Sequence, residues 1–281
     1  MNRSIVAIIR GENTAENIRT ALDLRPWIDE LAVNDQPVLV KVNLTGGSPQ
    51  RRGETTTLEA TDAVVRYLQS KGCRVAVCEG SSGIYSAPTN FEVGGYRRHF
   101  KEMGIACIDL SNVPSQMIYL PHANCHAPLP QLALDSKLIV SVPVPKRHFV
   151  TTLSCALKNV GVGMLARSSK IGYHGILDSL IPDVNTVLKP QLVVVDATWG
   201  LGRTGPFNGT PVKLDATIVS TDPVAADSIC CAIMGLDPMS VTHLKNAEMY
   251  GVGQINPEVW GCSINDLKRV FKRALEDPFS P

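Results

Sequence analysis

Cationic and imidazole side chains are concentrated in one stretch of the 281-residue chain, from position 142 to position 174. This stretch follows directly on an apolar run at positions 138–142, and prolines at positions 143 and 145 open it. Open α/β sheets bind ligands in a crevice at the carboxyl ends of their strands, so charged groups after a buried strand indicate a ligand site. The candidate groups are Lys146, Arg147, His148, Lys158, Asn159, Arg167, Lys170 and His174.

Three titratable side chains of this stretch, His148, Lys158 and His174, are the candidates for chemistry. Histidine exchanges protons near neutral pH, and a lysine that is desolvated or lies beside another cation becomes a base or a nucleophile because its pKa falls. Lys158 lies between the apolar residues Leu157 and Val160, which favours a site over a solvated basic face. The residue types therefore predict proton transfer or amine chemistry.

The elements that position these groups alternate between strands and helices. The predicted strands are short apolar runs, typical of strands buried on both faces, and include positions 37–43, 73–78 and 105–110. Helices are predicted at positions 57–71, 91–103, 176–188 and 243–250. Pro182 fits its helix only as a kink or a break, and His243 is expected to be exposed or hydrogen-bonded. This order predicts an α/β fold with a mainly parallel sheet and helices on both faces.

The division of the chain follows from what it lacks, since it has no repeat, low-complexity tract or flexible linker. Two domains without a linker must share an interface. We expect two closely packed lobes that divide near Lys189 and Pro190. Residues 1–189 would form an α/β lobe with the site segment, and residues 190–281 a smaller α/β lobe.

The predicted strand at positions 37–43 brings further polar groups to the same edge of the sheet. Lys41 and Asn43 lie at its carboxyl end, where the crevice of an α/β sheet is expected. The cations would attract and orient an anion, and the amides would hold it by hydrogen bonds. The predicted substrate-binding residues are therefore Lys41, Asn43, Lys146, Arg147 and Asn159.

Composition narrows the class of protein. The chain has 27 basic and 26 acidic residues, so it has no electrostatic footprint for nucleic acid or an anionic membrane, and we expect neither as a partner. The apolar run at positions 5–9 is too short for a secretory signal, and no run is long enough to cross a bilayer, which predicts a cytoplasmic location. None of the eight cysteines has CxxC spacing, so we expect reduced core thiols and no iron–sulfur cluster.

Motifs over most of the chain resemble a family known as the domain of unknown function numbered three hundred and sixty-two. The motifs are Val38-Leu-Val-Lys-Val-Asn43, Pro145-Lys146-x-His148, Ala156-Leu-Lys-Asn159 with Gly161, His174, Asp196 with Gly205-Pro206 and Gly209, and Ser220-Thr-Asp-Pro-Val-Ala-Ala-Asp227. Many members of that family carry an additional ferredoxin-like iron–sulfur segment. Its CxxCxxC run does not occur in this sequence.

The chain is also distantly similar to the lactate racemase family, whose nickel-pincer nucleotide is tethered to a lysine. His148, Lys158 and His174 follow the order of that family's catalytic histidine, cofactor-bearing lysine and nickel-binding histidine. Asn43 falls where that family has a cofactor-binding aspartate, and Glu79 falls near its other catalytic histidine. The resemblance implies nickel or another divalent metal, or a lysine-tethered nucleotide, as candidate cofactors.

Together these features predict an enzyme that acts on a small anionic carboxylate or carbonyl compound by proton transfer, as an isomerase, epimerase or lyase. His148 and Glu79 would be its acid/base pair, and Lys158 with His174 would bind a cofactor, a metal or the substrate carbonyl. Two alternatives stay open at this point. Lys158 could be a Schiff-base nucleophile, or the chain could be a noncatalytic cofactor- or metal-binding accessory protein of a redox pathway.

Overall fold

The computed structural model of the chain describes residues 3–27, 37–46, 48–49, 51–167 and 170–277. Its strands are β1 (Ile5–Arg10), β2 (Pro37–Val42), β3 (Arg74–Glu79), β4 (Cys107–Asp109), β5 (Ser115–Leu120), β6 (Cys125–Pro130), β7 (Leu138–Val142), β8 (Lys146–His148), β9 (Thr152–Ser154), β10 (Leu192–Gly202), β11 (Thr210–Ser220) and β12 (Glu258–Gly261). Its helices are α1 (Thr14–Asp23), α2 (Leu58–Ser70), α3 (Ala87–Val93), α4 (Tyr96–Glu102), α5 (Gln131–Leu134), α6 (Ala156–Gly161), α7 (Leu177–Leu188), α8 (Pro223–Ile233), α9 (Thr242–Met249) and α10 (Ile264–Glu276).

One large sheet runs through the molecule in the order β12-β1-β11-β10-β7-β2-β3-β4. Only β11 runs antiparallel to its neighbours β1 and β10, and the other pairs along this path are parallel. The short strands β8 and β9 form a hairpin that joins the sheet at β10. The strands β5 and β6 form a separate two-stranded sheet. The predicted mainly parallel sheet is confirmed.

Helices cover both faces of this sheet because its central strands are apolar on both sides. In β2, Leu39 faces one apolar core, while Val38 and Val40 face the other. The helices α1, α2 and α4 pack on the second core, and α6 to α10 pack on the first. The α/β fold class is therefore confirmed. The division of the chain at positions 189 and 190 stays a prediction, and β10 pairs directly with β7 across it.

The segment that carries the candidate chemistry is held by a contact from far along the chain. After β9 the chain enters α6. The backbone N–H groups of its first two residues, Ala156 and Leu157, have no acceptor within the helix. Both donate to the carboxylate of Asp227 in α8, at 2.7 and 3.1 Å. Helix starts leave such donors unpaired, and a side-chain acceptor satisfies them. Asp227 thereby fixes the helix on which Lys158 and Asn159 lie.

Two predicted helices differ in detail from those observed. The helix expected at positions 91–103 is two helices, α3 and α4, because Gly95 adopts a positive φ of 76° between them. The helix α7 continues through Pro182. Proline removes the N–H that would pair with the carbonyl four residues earlier, and the side chain of Asn246 donates to that carbonyl, of Asp178, at 2.9 Å instead.

Two expectations from composition concern the chain as a whole. Its eight cysteines are free thiols; those at positions 73, 78, 155, 230 and 231 are buried, whereas those at positions 107, 125 and 262 are half-buried rather than in the core. No helix among the described residues is long and apolar enough to cross a membrane. The cytoplasmic location stays a prediction.

Candidate functional site

A cavity of about 260 Å³ lies beyond the carboxyl ends of β2 and β3, beside the β8–β9 hairpin and α6. Its walls are Asn43, Leu44, Thr45, Glu79, Gly80, Ser82, Ile84, Tyr85, Asn90, Lys146, His148, Phe149, Ser154, Lys158, Asn159, Val162, Gly163, Lys170, His174, Pro206 and Phe207. Most of the residues predicted from sequence meet here: Asn43, Glu79, Lys146, His148, Lys158, Asn159 and His174. Lys41 and Arg147 are not among the walls.

The backbone fixes the tautomer of His148 at the centre of this cavity. The imidazole Nδ1 accepts hydrogen bonds from the backbone N–H groups of Val150, at 3.1 Å, and Thr151, at 3.2 Å. Nδ1 therefore carries no proton, and a neutral imidazole must hold its proton on Nε2. Nε2 forms a short hydrogen bond with Nζ of Lys158. Since Nε2–H is the donor, Nζ of Lys158 must accept with a lone pair, as only a neutral amine can.

The electrostatics of the pair agree with this assignment. Burial and the neighbouring lysines lower the pKa of His148 to about 2, so its ring stays neutral at physiological pH. Burial and the charge of Lys146 hold the pKa of Lys158 well below its usual value. The cavity therefore contains an unprotonated amine beside a neutral imidazole N–H donor, and the amine can act as a base or a nucleophile.

Two more lysines line the cavity without contact to a carboxylate among the described residues. Nζ of Lys146 contacts Oδ1 of Asn43, Oγ1 of Thr45 at 3.1 Å and the carbonyl of Glu54 at 2.7 Å. Nζ of Lys170 donates to the carbonyl of Gly163 at 3.2 Å. Burial lowers the pKa of each lysine to about 8. The ammonium group of Lys146 already has three acceptors, so it contributes mainly its charge to the cavity. The ammonium group of Lys170 has one acceptor, so it keeps N–H groups that can donate to a ligand.

Directly behind the wall lies a layer of paired charges. Nζ of Lys41 is completely buried and donates to Oε1 of Glu79 at 2.6 Å and to Oδ1 of Asn159 at 2.9 Å. Glu79 also accepts the backbone N–H of Gly80 at 2.7 Å and that of Leu44 at 2.6 Å. Both carboxylate oxygens are therefore engaged. Lys41, predicted to contact the substrate, is instead enclosed behind it, which corrects that prediction.

Arg147 is also misplaced by the sequence-based prediction. Its neighbours Lys146 and His148 both face the cavity, and successive side chains of a strand point to opposite faces. Arg147 therefore points away, and its Nη2 donates to the carbonyl of Met234 at 3.0 Å. It holds the hairpin against the end of α8 rather than the ligand.

The donor atoms of the cavity do not form a set that suits a resident metal. No group of three or more His, Cys, Asp or Glu side chains that could hold a metal ion occurs in the part of the chain that the structure describes. Both nitrogens of His148 and both oxygens of Glu79 have partners, which leaves His174, exposed at the mouth, as a single candidate ligand. Nickel, another divalent metal and a lysine-tethered nucleotide stay predictions, to be tested by intact-protein mass spectrometry with metal analysis.

Two residues in or beside the cavity were given no specific role from the sequence. Lys170 belongs to the cationic stretch, and its position between Lys158 and His174 was the signal that could have identified it. His243, expected to be exposed or hydrogen-bonded, is fully buried, and neither ring nitrogen has a partner among the described residues. Burial lowers the pKa of His243 to about 3, so its ring is neutral beside the amine of Lys158.

Comparison with known proteins identifies sequence relatives. The model of the family described as Domain of unknown function (DUF362) matches residues 38–232, which include most of the cavity walls. The thylakoid-associated protein sll1697 of Synechocystis sp. is 22% identical over 250 residues, a stretch of 86% of this chain and 77% of that protein. The family resemblance read from the motifs is thus confirmed.

One solved structure is also similar. The lactate racemase apoprotein from Thermoanaerobacterium thermosaccharolyticum aligns with a TM-score of 0.47 and 11% identity. The alignment covers 88% of this chain and 57% of that one, so this chain spans little more than half of the racemase.

Proposed function

Because the chain belongs to the DUF362 family, which is described only as a domain of unknown function, we propose its function from the chemistry of the cavity. We propose an enzyme that moves a proton next to the carbonyl or carboxylate group of a small anionic compound. The observation that carries this proposal is the neutral amine of Lys158, held by the Nε2–H of His148. Such a pair supplies a base and a hydrogen-bond donor to one substrate.

An anionic substrate follows from the charge of the cavity walls. Lys146 and Lys170 are the charged lysines that face the cavity, and the carboxylate of Glu79 is already paired with Lys41. A buried cation without a counter-charge is costly, and an anion that enters removes this cost. Lys170 would donate to the anionic group of the substrate, and Asn43 and Asn159 would border it.

In the proposed reaction Lys158 is the base. Its Nζ takes a proton from the carbon next to the carbonyl, and the Nε2–H of His148 turns to the carbonyl oxygen, where negative charge develops. The low pKa of His148 keeps its ring neutral, so it serves as a donor rather than as the base. The ammonium of Lys158 then returns the proton to a neighbouring carbon or to a leaving group.

Glu79 as the second acid/base group stays a prediction, and its contacts favour a different role. An epimerase needs a proton donor on the opposite face of the substrate, and both oxygens of Glu79 already accept hydrogen bonds. Glu79 would therefore anchor Lys41 and the strand ends. Within the proposed class, isomerase or lyase chemistry with one base fits the cavity better than epimerisation.

A Schiff-base reaction of Lys158 is the second candidate, and the same neutral amine favours it. The amine would add to a substrate carbonyl, and its two protons would leave with the carbonyl oxygen as water, so that an imine remains. The Nε2–H of His148 would hydrogen-bond to the departing oxygen. The imine would in turn acidify the adjacent C–H bond, so both candidates predict exchange of that proton.

The test is proton exchange in deuterated water, followed by NMR on α-oxo acids as probes. We expect exchange at C3, the carbon next to the oxo group, with the wild-type chain and with Lys245→Met, an exposed control, but not with Lys158→Met or His148→Gln. Borohydride trapping with peptide mapping separates the two candidates, because only an imine leaves a mass increase on Lys158. Binding without exchange or trapping would contradict both and favour the noncatalytic accessory role.

A further inference from the structure

We propose that the substrate is amphipathic, with its anionic group among the lysines and an apolar tail that leaves through the mouth of the cavity. This inference rests on the proposed function and specifies the substrate class of the same site. It follows from a difference between the inner and outer parts of one continuous cavity.

The inner part is cationic and closed to solvent. Lys146 is 1% exposed, Asn159 4% and Lys170 8%, and the reacting amine of Lys158 lies in the same wall. An anionic group placed here would be desolvated and paired at once, which makes this end the natural seat of the carboxylate.

The outer part is apolar and exposed. Ile84, Ile171 and Phe149 are 72%, 72% and 68% exposed, the highest values among the large apolar side chains that the structure describes. Ile84 and Phe149 line the cavity, and Ile171 lies between two lining residues, Lys170 and His174. Exposed apolar side chains are common singly, but two that line one cavity, with a third next in sequence to a wall residue, mark a binding surface. We call Ile84, Phe149 and Ile171 the apolar rim.

Aromatic rings connect the rim to the reacting pair. Phe149 stacks on His148 with ring centroids 5.1 Å apart and an angle of 9° between the planes. On the other wall, Tyr85 and Phe207 meet edge to face at 6.4 Å. A chain or ring attached to the carbonyl carbon would pass between these walls and reach Ile84 at the mouth.

A substrate tail explains the rim better than a protein partner. Specific protein interfaces bury about 800 Å² on each partner, much more than three side chains offer. The rim is also continuous with the cationic walls, so one ligand with a charged end and an apolar end satisfies both. The ligand class is therefore a carboxylate or oxo acid with an aliphatic or aromatic tail, rather than a short hydrophilic acid.

The experiment measures binding across a homologous series. Calorimetry with straight-chain α-oxo acids, from pyruvate to α-oxooctanoate, should show a dissociation constant that falls about two- to fourfold for each added methylene. Ile84→Ser and Phe149→Ser should flatten this dependence. Met249→Ser removes a side chain that is 66% exposed outside the cavity, and this control should keep the full dependence. Phe149 also stacks on His148, so Ile84→Ser is the cleaner variant.

Each other outcome would overturn the inference. Equal affinity for pyruvate and α-oxooctanoate, with proton exchange intact, would refute the apolar tail and leave the proposed function standing. A chain-length effect that survives both rim substitutions would place the tail elsewhere. A dimer that dissociates in both rim variants would show that a second copy covers the rim. If the wild-type chain neither exchanges the proton nor binds any of these α-oxo acids, the proposed function itself is wrong.

Discussion

Two sets of lysines within one site differ in their pairing. Lys41, behind the cavity wall, donates to a carboxylate, an amide oxygen and the backbone carbonyl of Val42. Lys158 and Lys170, in the wall itself, contact one imidazole nitrogen and one carbonyl. All three are screened from bulk water by the fold, yet of the three only Lys41 donates to a carboxylate. Pairing, and not burial alone, separates the two sets.

This difference indicates that the buried pair behind the wall and the lysines in the cavity wall have different roles. A buried pair such as Lys41 and Glu79 is held in place by hydrogen bonds on both sides, so it positions its neighbours. An amine without a carboxylate partner keeps a low pKa and an available lone pair, at a cost in stability that the rest of the fold must offset. We therefore expect substitutions of Lys41 or Glu79 to lower the stability of the fold, and substitutions of the wall lysines to lower proton exchange or ligand binding.

The largest effect is expected for Lys158→Met, which should reduce proton exchange about a thousandfold because general-base catalysis contributes on that order. Stability should be unchanged or slightly higher, since the variant removes a buried amine without a carboxylate partner. Exchange rates from NMR and urea unfolding measure the two effects. If Lys158→Met unfolds at a much lower urea concentration than the wild-type chain, the role of Lys158 is structural.

Glu79→Gln should show the reverse pattern. Removing one member of a buried ion pair leaves the other charge unpaired and costs about 3–5 kcal/mol, so the free energy of unfolding should fall by that order. Glu102→Gln, at an exposed ion pair on α4, should leave stability unchanged. Urea unfolding of both variants makes the comparison. A stable Glu79→Gln variant without activity would restore Glu79 to the acid/base role.

The pH dependence of anion binding should identify the wall lysines. The pKa of Lys146 and of Lys170 is about 8, lowered by burial, so both carry charge below that pH and lose it above. Affinity for an α-oxo acid should fall by at most about tenfold per pH unit above pH 8 for each lysine that titrates. Stability should rise over the same range, from pH 8 to the ordinary lysine pKa, because the unfolded chain binds more protons there. Calorimetry at several pH values tests both, and affinity that stays constant to pH 10 would exclude these lysines from the anion site.

The smallest effect on stability is expected for Asp227. This residue lies outside the cavity but positions α6 through its contacts with Ala156 and Leu157. Burial raises its pKa to about 7, so the folded state binds this proton more tightly than the unfolded state. Stability should therefore decrease as the pH rises from about 4 to 7. Asp227→Asn should abolish this slope and cost about 1–2 kcal/mol, because the amide offers one acceptor where two N–H groups need partners. Thermal unfolding across this range, with Asp266→Asn as the exposed control, measures it.

The sequence indicated that His148 and Lys158 lie together at the cavity, because they are unusual residue types after an apolar strand, and their catalytic roles stay a prediction. It failed for Lys41 and Arg147, since the outcome there depends on the face of a strand to which a side chain points. A one-residue difference sends Arg147 away from the cavity while Lys146 and His148 enter it. The partners of Lys41 come from β3 and α6, far along the chain, and local patterns contain no information on such contacts.

The same limit explains the missed residues. Lys170 lies in an irregular segment before α7, where periodicity makes no prediction about orientation. His243 has the position of a surface residue at a helix start, and only the packing of α9 against its neighbours encloses it. The alternation of strands and helices, in contrast, is a local property of the chain, and the α/β fold with its mainly parallel sheet followed from it directly.

The Asp227 contact also constrains the order in which the protein can mature during synthesis. The donor groups at Ala156 and their acceptor are separated by 71 positions, so the reactive amine leaves the ribosome well before the residue that fixes its helix. A nascent chain that ends before α8 would possess every strand except β12 and every residue of the proposed site, and still lack the contact that orders it. Activity would therefore emerge only once the last third of the chain has folded onto the rest.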